Sequence, residues 1–306
     1  MIAIVGPTAI GKSDLAMRLA EHFPLEIISA DSRQVYRNMD IGTGKPAPAE
    51  RATVPHHVID VVEPDGDFSL AMYHRLAIEA LEAIQGTGKL PLLVGGTGLY
   101  VWSLVEGWTI PPVPPDRKLR RQMEARAEQG DSQSLYRELQ EIDPAAAAKI
   151  SPRNIRRVVR ALEIYYTTGR RPSELRRKEA PGFSTLIIGL TCERSELYRR
   201  IDMRVDNMIK TGLIEEVEWL LEKGYSPSLP SMSGIGYKQI AEFLRGEMTL
   251  PEAVDKMKYE THRLARHQYA WFRLNDSRIR WLDVGGLSIE ADAVNSAKGL
   301  IEGFKS

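Results

Sequence analysis

Two apolar periods alternate along the chain, and their alternation predicts the architecture. Met1–Val5 is a short unbroken apolar run, the mark of a buried strand. Ser13–Phe23 follows with Leu15, Leu19 and Phe23 at helical spacing. Leu25–Ser29, Val58–Val62 and Leu90–Val94 repeat the strand signature, and Leu70–Ile84 between the last two is helical, rich in Ala, Leu and Ile. Strands alternating with helices predict a parallel sheet covered on both faces. Pro111, Pro112, Pro114 and Pro115 break the pattern; such a cluster continues neither a helix nor a central strand, so a boundary is expected there. Beyond it, Asp116–Lys178 reads as helical, and Leu186–Leu190 returns to strand. Arg194–Glu222 reads as one long helix with Leu197, Ile201, Val205 and Ile209 four apart, Pro251–Phe272 as another, and Ile279–Val284 as a last strand. The expected organisation is an α/β core, residues 1–115 and 179–306, with a helical insertion over residues 116–178 and no internal repeat.

Composition changes this picture only locally. The 306 residues are 43% hydrophobic and 27% charged, enough for a sizeable core, and Lys+Arg and Asp+Glu balance at 41 each. The balance is uneven along the chain. Residues 116–178 hold 16 Lys and Arg against 9 Asp and Glu, an excess of seven positive charges that the remainder cancels. Arg117, Lys118, Arg120, Arg121, Arg153, Arg156, Arg157 and Arg160 supply much of it. Such runs usually are solvated helix faces, and only a phosphate-binding core beside them would turn the reading toward phosphate contacts. The single Cys192 excludes an internal disulfide and a cysteine zinc site, is expected to pack with a strand, and fits a cytoplasmic compartment. No stretch approaches the roughly 20 apolar residues of a membrane span. The N-terminus opens directly into a strand, so neither a membrane nor a secretory signal is expected.

The chemistry begins at Gly6-Pro7-Thr8-Ala9-Ile10-Gly11-Lys12-Ser13, a G-x-x-x-x-G-K-S run between a predicted strand and a predicted helix. Glycines let backbone N–H groups turn inward around phosphate oxygens, and the helix N-terminus adds its dipole. Lys12 supplies a point charge, and the Ser13 hydroxyl is placed to hold Mg²⁺. The core is therefore a P-loop NTPase-like parallel sheet flanked by helices. The motif leaves the ligand open, because ATP and an allylic diphosphate present similar groups. The second strand ends at Asp31, outside the carboxyl edge where open α/β sheets bind ligands. Asp31 is placed either to bind magnesium or take a proton, or to cap a following helix. No apolar strand downstream ends in the metal-binding Asp of an ordinary ATPase or GTPase. Instead the fourth strand runs into Gly95-Gly96-Thr97-Gly98, where glycines permit close approach of a ligand and Thr97 offers a hydroxyl, or where the chain makes a tight turn.

Four runs together, GPTAIGKS, ISADSRQVYRNMDIGTGKP (Ile28–Pro46), LLVGGTGLY (Leu92–Tyr100) and GIGYKQI (Gly234–Ile240), resemble the tRNA dimethylallyltransferase family, in the same order over nearly the whole chain. The family usually carries a small residue where this chain has Ile10, and often Thr where it has Ser13. The resemblance implies transfer of a dimethylallyl group from its diphosphate to N6 of the adenosine 3′ to the anticodon, position 37. By position it implies Asp31 as general base, with Thr97 beside the reacting groups and Arg204 facing the diphosphate. It implies diphosphate binding by Gly6, Thr8, Ala9, Ile10, Gly11, Lys12 and Ser13, with Mg²⁺ as cofactor. Contacts to tRNA, through its anticodon stem-loop, are implied for Asp31, Ser32, Arg33 and Gln34; for Arg156, Arg157, Val158, Val159 and Arg160; and for Ser233, Gly234, Ile235, Gly236, Tyr237 and Lys238. No motif reports assembly, and a monomer is the default expectation.

The parts suit the chemistry. An exocyclic adenine amine is a poor nucleophile, and a carboxylate such as Asp31 can orient it and take its proton. Negative charge builds on the departing diphosphate, where Lys12, magnesium on Ser13 and an arginine would stabilise it. Arg200 and Arg204 lie four apart on one helix face, placed to reach inward or to pair with acidic neighbours. The helix with His262, Arg263, Arg266 and His267 is a further candidate for RNA contact, its Trp271 and Phe272 expected in the core. Trp102 and Trp219 are expected there too, and His56-His57 carry no ligand role because adjacent side chains diverge. Three other readings keep the P-loop: an isopentenyltransferase acting on free adenine nucleotides, a small-molecule kinase, and a nucleotide-dependent RNA-binding module without covalent chemistry.

Overall fold

The computed structural model describes residues 1–111, 113, 116–175, 177–285 and 291–305. Pro112, Pro114 and Pro115 of the expected boundary lie outside the described residues, as do Arg176 and the side chain of Arg117. The chain divides into two compact units, Met1–Val105 with Pro181–Ser306, and Glu106–Ala180.

The first unit is built on strands β1 (Ile2–Val5), β2 (Leu25–Ser29), β3 (His56–His57), β4 (Leu90–Gly95), β5 (Leu186–Thr191) and β6 (Ile279–Asp283). All pair in parallel in the order β3-β2-β4-β1-β5-β6. Helices α1 (Lys12–Ala20), α2 (Pro48–Thr53), α3 (Leu70–Gly86) and α4 (Gly98–Val105) precede the second unit in sequence. The second unit holds α5 (Arg117–Arg126), α6 (Ser132–Ile142), α7 (Pro144–Ala147), α8 (Ile155–Thr168) and α9 (Pro172–Leu175). The first unit resumes with α10 (Arg194–Lys210), α11 (Leu213–Glu222), α12 (Tyr237–Leu244), α13 (Leu250–Trp271) and α14 (Ala291–Lys305). β1 is wholly buried, and one core joins Ile2 and Ile4 to Leu15 and Leu19 of α1, Leu92 and Val94 of β4, Ile188 and Leu190 of β5, and Leu197 and Ile201 of α10. Each such side chain contributes roughly 1.5–3 kcal/mol by leaving water.

Several expectations are corrected. The third strand is His56–His57, not Val58–Val62, because Val58 and Asp60 take left-handed φ values of 62° and 52° that end extended pairing. The long helix expected over Arg194–Glu222 is two, broken at Gly212, whose φ of 105° reverses the backbone. Trp219 is 40% exposed beneath Lys223, and Trp271 is 44% exposed; Trp102 and Phe272 are buried. Cys192 follows β5 and packs half-buried against the core. The 22-residue α13 starts from a capping box: Thr249 Oγ1 accepts from Glu252 N–H, and the Glu252 carboxylate accepts from Thr249 N–H at 2.7 Å.

The second unit has its own core of Met123, Leu135, Leu139, Ile150, Val158, Val159 and Leu162. Glu163 is fully buried there, bridged by the Arg120 guanidinium at 2.8 and 2.9 Å and by Arg160 at 2.5 Å. Burial pushes its carboxyl up, but the two arginines and the Asp116 N–H hold it below its ordinary value.

At the carboxyl edge of the sheet, β2 and β4 approach so closely that only glycine fits at position 95. Ala30 N–H donates to Val94 O at 2.7 Å and Thr97 N–H to Ala30 O at 3.1 Å, and a Cβ on Gly95 would overlap the Ala30 backbone. Gly95→Ala is expected to lower stability by about 1–3 kcal/mol in urea unfolding, with Ala30 and Thr97 forced apart; an unchanged midpoint would show that the strand ends yield freely.

Candidate functional site

β1 ends in Val5 and turns at Gly6 (φ 144°), where a Cβ would stand 2.7 Å from Leu190 O. The loop passes Ala9 at φ 62°, a rare conformation for a residue with a side chain, and Gly11 at φ 99° before α1 begins at Lys12. The first N–H groups of a helix have no acceptor within the helix itself, and here the start of α1 adjoins the loop. The Lys12 ammonium folds back over the loop and donates to Gly6 O at 3.0 Å and Pro7 O at 2.7 Å. Burial lowers its pKa to about 7; Asp31 opposes that shift and the Arg204 charge adds to it. The Ile10 side chain is buried in the core, so it offers no side-chain surface to the cleft.

A cleft at this edge of the sheet is lined by Thr8, Lys12 and Ser13 of the loop, by Asp31 and Gln34 after β2, by Thr43, Gly44 and Pro46, by Gly95 and Gly96 after β4, and by Arg204 and Gln268. Asp31 accepts from Arg33 N–H through one carboxylate oxygen at 2.8 Å, a local turn rather than a helix cap. Its other oxygen has no protein partner among the described residues. The Thr97 hydroxyl accepts from Ser32 N–H at 3.1 Å, which fixes the segment that carries Asp31. Arg204 reaches from α10 and donates to Thr43 O at 3.4 Å; burial holds its pKa below the usual guanidinium value, against the pull of Asp31. Arg200, one turn earlier, does not reach the cleft. It is buried and donates to Ile10 O at 3.3 Å and Val284 O at 2.6 Å, bracing the P-loop from behind.

Residues expected to contact RNA divide. Arg33 donates to Pro230 O at 2.7 Å and to Ser233 Oγ at 3.4 Å, tying the turn after β2 to the segment ahead of α12. Ser233 and Lys238 are exposed, whereas Gly234 and Gly236 are buried and Ile235 is half-buried. The Tyr237 side chain is buried under Gly42, so it braces the fold and does not present a face to RNA. Val158 and Val159 likewise point into the core of the second unit, which corrects their expected contact role. Arg160 is held by Glu163 and Val113 O, leaving Arg156 and Arg157 exposed on that helix. On α13, Arg263, Arg266 and His267 are exposed, Arg266 donating to the Tyr198 hydroxyl at 2.7 Å, while the His262 ring stacks on Tyr198. The His56 ring turns to Val54 O and the His57 ring to Glu26, so the adjacent pair diverges.

Gln268 and Glu216 were not anticipated. Gln268 accepts from Thr8 N–H at 2.8 Å and donates to Gly96 O at 3.1 Å, joining the P-loop to the end of β4. The signal for it was a polar residue on the buried stripe of α13, three after Ala265 and four before Phe272. Glu216 breaks the stripe of Leu213 and Leu220 in the same way.

Comparisons with known proteins agree on one group. The family model described as IPP transferase matches residues 34–275. A tRNA dimethylallyltransferase of Thermomicrobium roseum is 52% identical over 93% of this chain and 86% of its own, and one of Roseiflexus is 54% identical over 89% and 90%. Among solved structures, the tRNA isopentenylpyrophosphate transferase of Bacillus halodurans is 40% identical, with a TM-score of 0.71 over 99% of this chain and 96% of that one. A eukaryotic dimethylallyltransferase solved acting on tRNA is 30% identical, with a TM-score of 0.81 over 98% and 77%. With a P-loop cleft at the sheet edge and a family match over most of its length, this chain belongs to the IPP transferase family.

Proposed function

We propose that the protein transfers a dimethylallyl group from dimethylallyl diphosphate to N6 of the adenosine 3′ to the anticodon, position 37, of tRNA. The observation that carries the reading is the meeting of one carboxylate, Asp31, with two desolvated cations, Lys12 and Arg204, in a single P-loop cleft. In the reaction a bond forms between N6 and C1 of the allylic group, and the bond from C1 to the diphosphate oxygen breaks. The N6 proton passes to the free oxygen of Asp31, which acts as general base. Lys12, Arg204 and the loop N–H groups receive the charge that develops on the departing diphosphate. Thr97 keeps Asp31 in place through Ser32.

The residues present also fit a magnesium ion. The Ser13 hydroxyl is exposed in the first turn of α1, and magnesium takes few protein oxygens, keeping waters and substrate phosphates. Ser13 would hold it, and when bound it neutralises charge on the diphosphate. RNA would approach over exposed basic side chains, Arg156 and Arg157 among them, with phosphate contacts fixing register. The adenine must leave its stack, at a cost of a few kcal/mol. A cytoplasmic setting follows from the RNA substrate.

Incubation with unmodified tRNA, dimethylallyl diphosphate and Mg²⁺, followed by digestion and mass spectrometry, should yield isopentenyladenosine. Alkylation of AMP in its place, or consumption of ATP, would overturn the reading. Asp31→Ala should lower turnover by about 10²–10⁴-fold while tRNA binding in a filter assay stays within a few-fold; loss of both together would remove Asp31 as base. Lys12 carries the third expectation. With a pKa near 7 it is part-neutral at neutral pH, and a bound anion must raise that value. Diphosphate binding at pH 8 should therefore take up protons, and affinity should fall as pH rises above 7. Calorimetry in buffers of different ionisation enthalpy reads the uptake, which Lys12→Met should abolish.

A further inference from the structure

Between β2 and α2, residues Asp40–Gly44 form a loop, and its last two residues, Thr43 and Gly44, line the cleft. Asp40 N–H and Ile41 N–H donate to one oxygen of the Glu216 carboxylate at 2.9 and 2.8 Å. Gly42 N–H donates to the other at 3.2 Å, as does the Tyr237 hydroxyl at 2.6 Å. Three consecutive N–H groups turned toward one point make an anion-binding concavity. Here the anion is the chain's own side chain, delivered from the first turn of α11.

The loop held this way is the one against which Arg204 rests. Arg204 donates to Thr43 O, and its guanidinium lies so close over Gly44 that a Cβ there would overlap it. Gln34, which lines the cleft, donates to Gly44 O at 3.2 Å. The contacts run from carboxylate to loop to guanidinium, and Glu216 itself is not among the residues lining the cleft.

We propose that Glu216 is a positioning residue for the diphosphate site, acting through the Asp40–Gly44 loop to seat Arg204. The proposal rests on the reading above that Arg204 faces a diphosphate. Glutamine keeps the shape of the side chain but has one acceptor oxygen where four donors converge, so two of them lose their partner.

The test is binding of inorganic diphosphate with Mg²⁺, by calorimetry, to the wild-type protein and to Glu216→Gln, Arg204→Lys and the double variant. Wild-type binding that does not respond to Arg204→Lys sinks the diphosphate reading itself. If it does respond, Glu216→Gln should weaken binding about tenfold, and the double variant should be little worse than Arg204→Lys alone. Losses that multiply, or an unchanged Glu216→Gln, overturn the proposal. Lys12→Met serves as control, because its loss should multiply with that of Glu216→Gln. Tyr237→Phe removes a single donor; should Glu216→Gln fail to fold, it must show the same sub-multiplicative loss with Arg204→Lys on a smaller scale. tRNA affinity of the Gln variant should stay within twofold, and a parallel fall would mark a general loss of structure.

Discussion

Parallel pairing sends every strand of this sheet toward the same edge, and glycine decides how tightly those ends can crowd. Gly6 passes beside the Leu190 carbonyl, and Gly95 lies against the backbone of Ala30. With side chains at either place, the P-loop, the turn at Asp31 and the turn at Thr97 would stand further apart. The hydrogen bonds that link them, from Thr97 N–H to Ala30 O and from Ser32 N–H to the Thr97 hydroxyl, have lengths that leave little slack. The make-up of the cleft is a consequence of that crowding: the P-loop, Asp31 and the turn after β4 come together at the strand ends, and Arg204 joins them from α10.

Around this edge the fold places polar braces that hold the loops of the cleft in position. Arg200 grips the P-loop at Ile10, Gln268 grips it at Thr8, and Glu216 grips the Asp40–Gly44 loop. Lys45 does similar work just after that loop: its buried ammonium meets Asp40 at 2.5 Å, Asp60 at 2.6 Å and Tyr36 O at 2.8 Å. Each brace is a polar side chain spent on backbone groups or, for Lys45, also on part-buried ion pairs. Buried polar networks of this kind hold a geometry more firmly than apolar contacts, provided every member is satisfied.

How much of this was legible in the sequence follows the range of each interaction. The order of strands and helices in the core could be read because apolar spacing is local, and the P-loop because its conformation is set by neighbouring glycines. Asp31 could be placed at the ligand edge because it follows a strand directly. The breaks were less visible. Val58 and Asp60 adopt left-handed conformations that their side chains do not advertise, and Gly212 divides a helix whose apolar spacing runs on across it. Arg200 and Arg204 were indistinguishable by spacing, since only tertiary packing puts one against Ile10 and the other against Thr43. Gln268 and Glu216 bind partners 260 and about 175 residues away, beyond any local pattern, though each left a polar mark on a buried helix face.

The posture of Lys12 sets a limit on how the loop can greet an anion. Two of the ammonium hydrogens are already directed at the Gly6 and Pro7 carbonyls. A neutral amine has only two hydrogens, so in that state the side chain has none left for a guest. The third arrives together with the positive charge, and it is the one able to point into the cleft. Charge and free valence therefore appear in the same event, and the lysine becomes a donor to phosphate only at the moment it also becomes a cation.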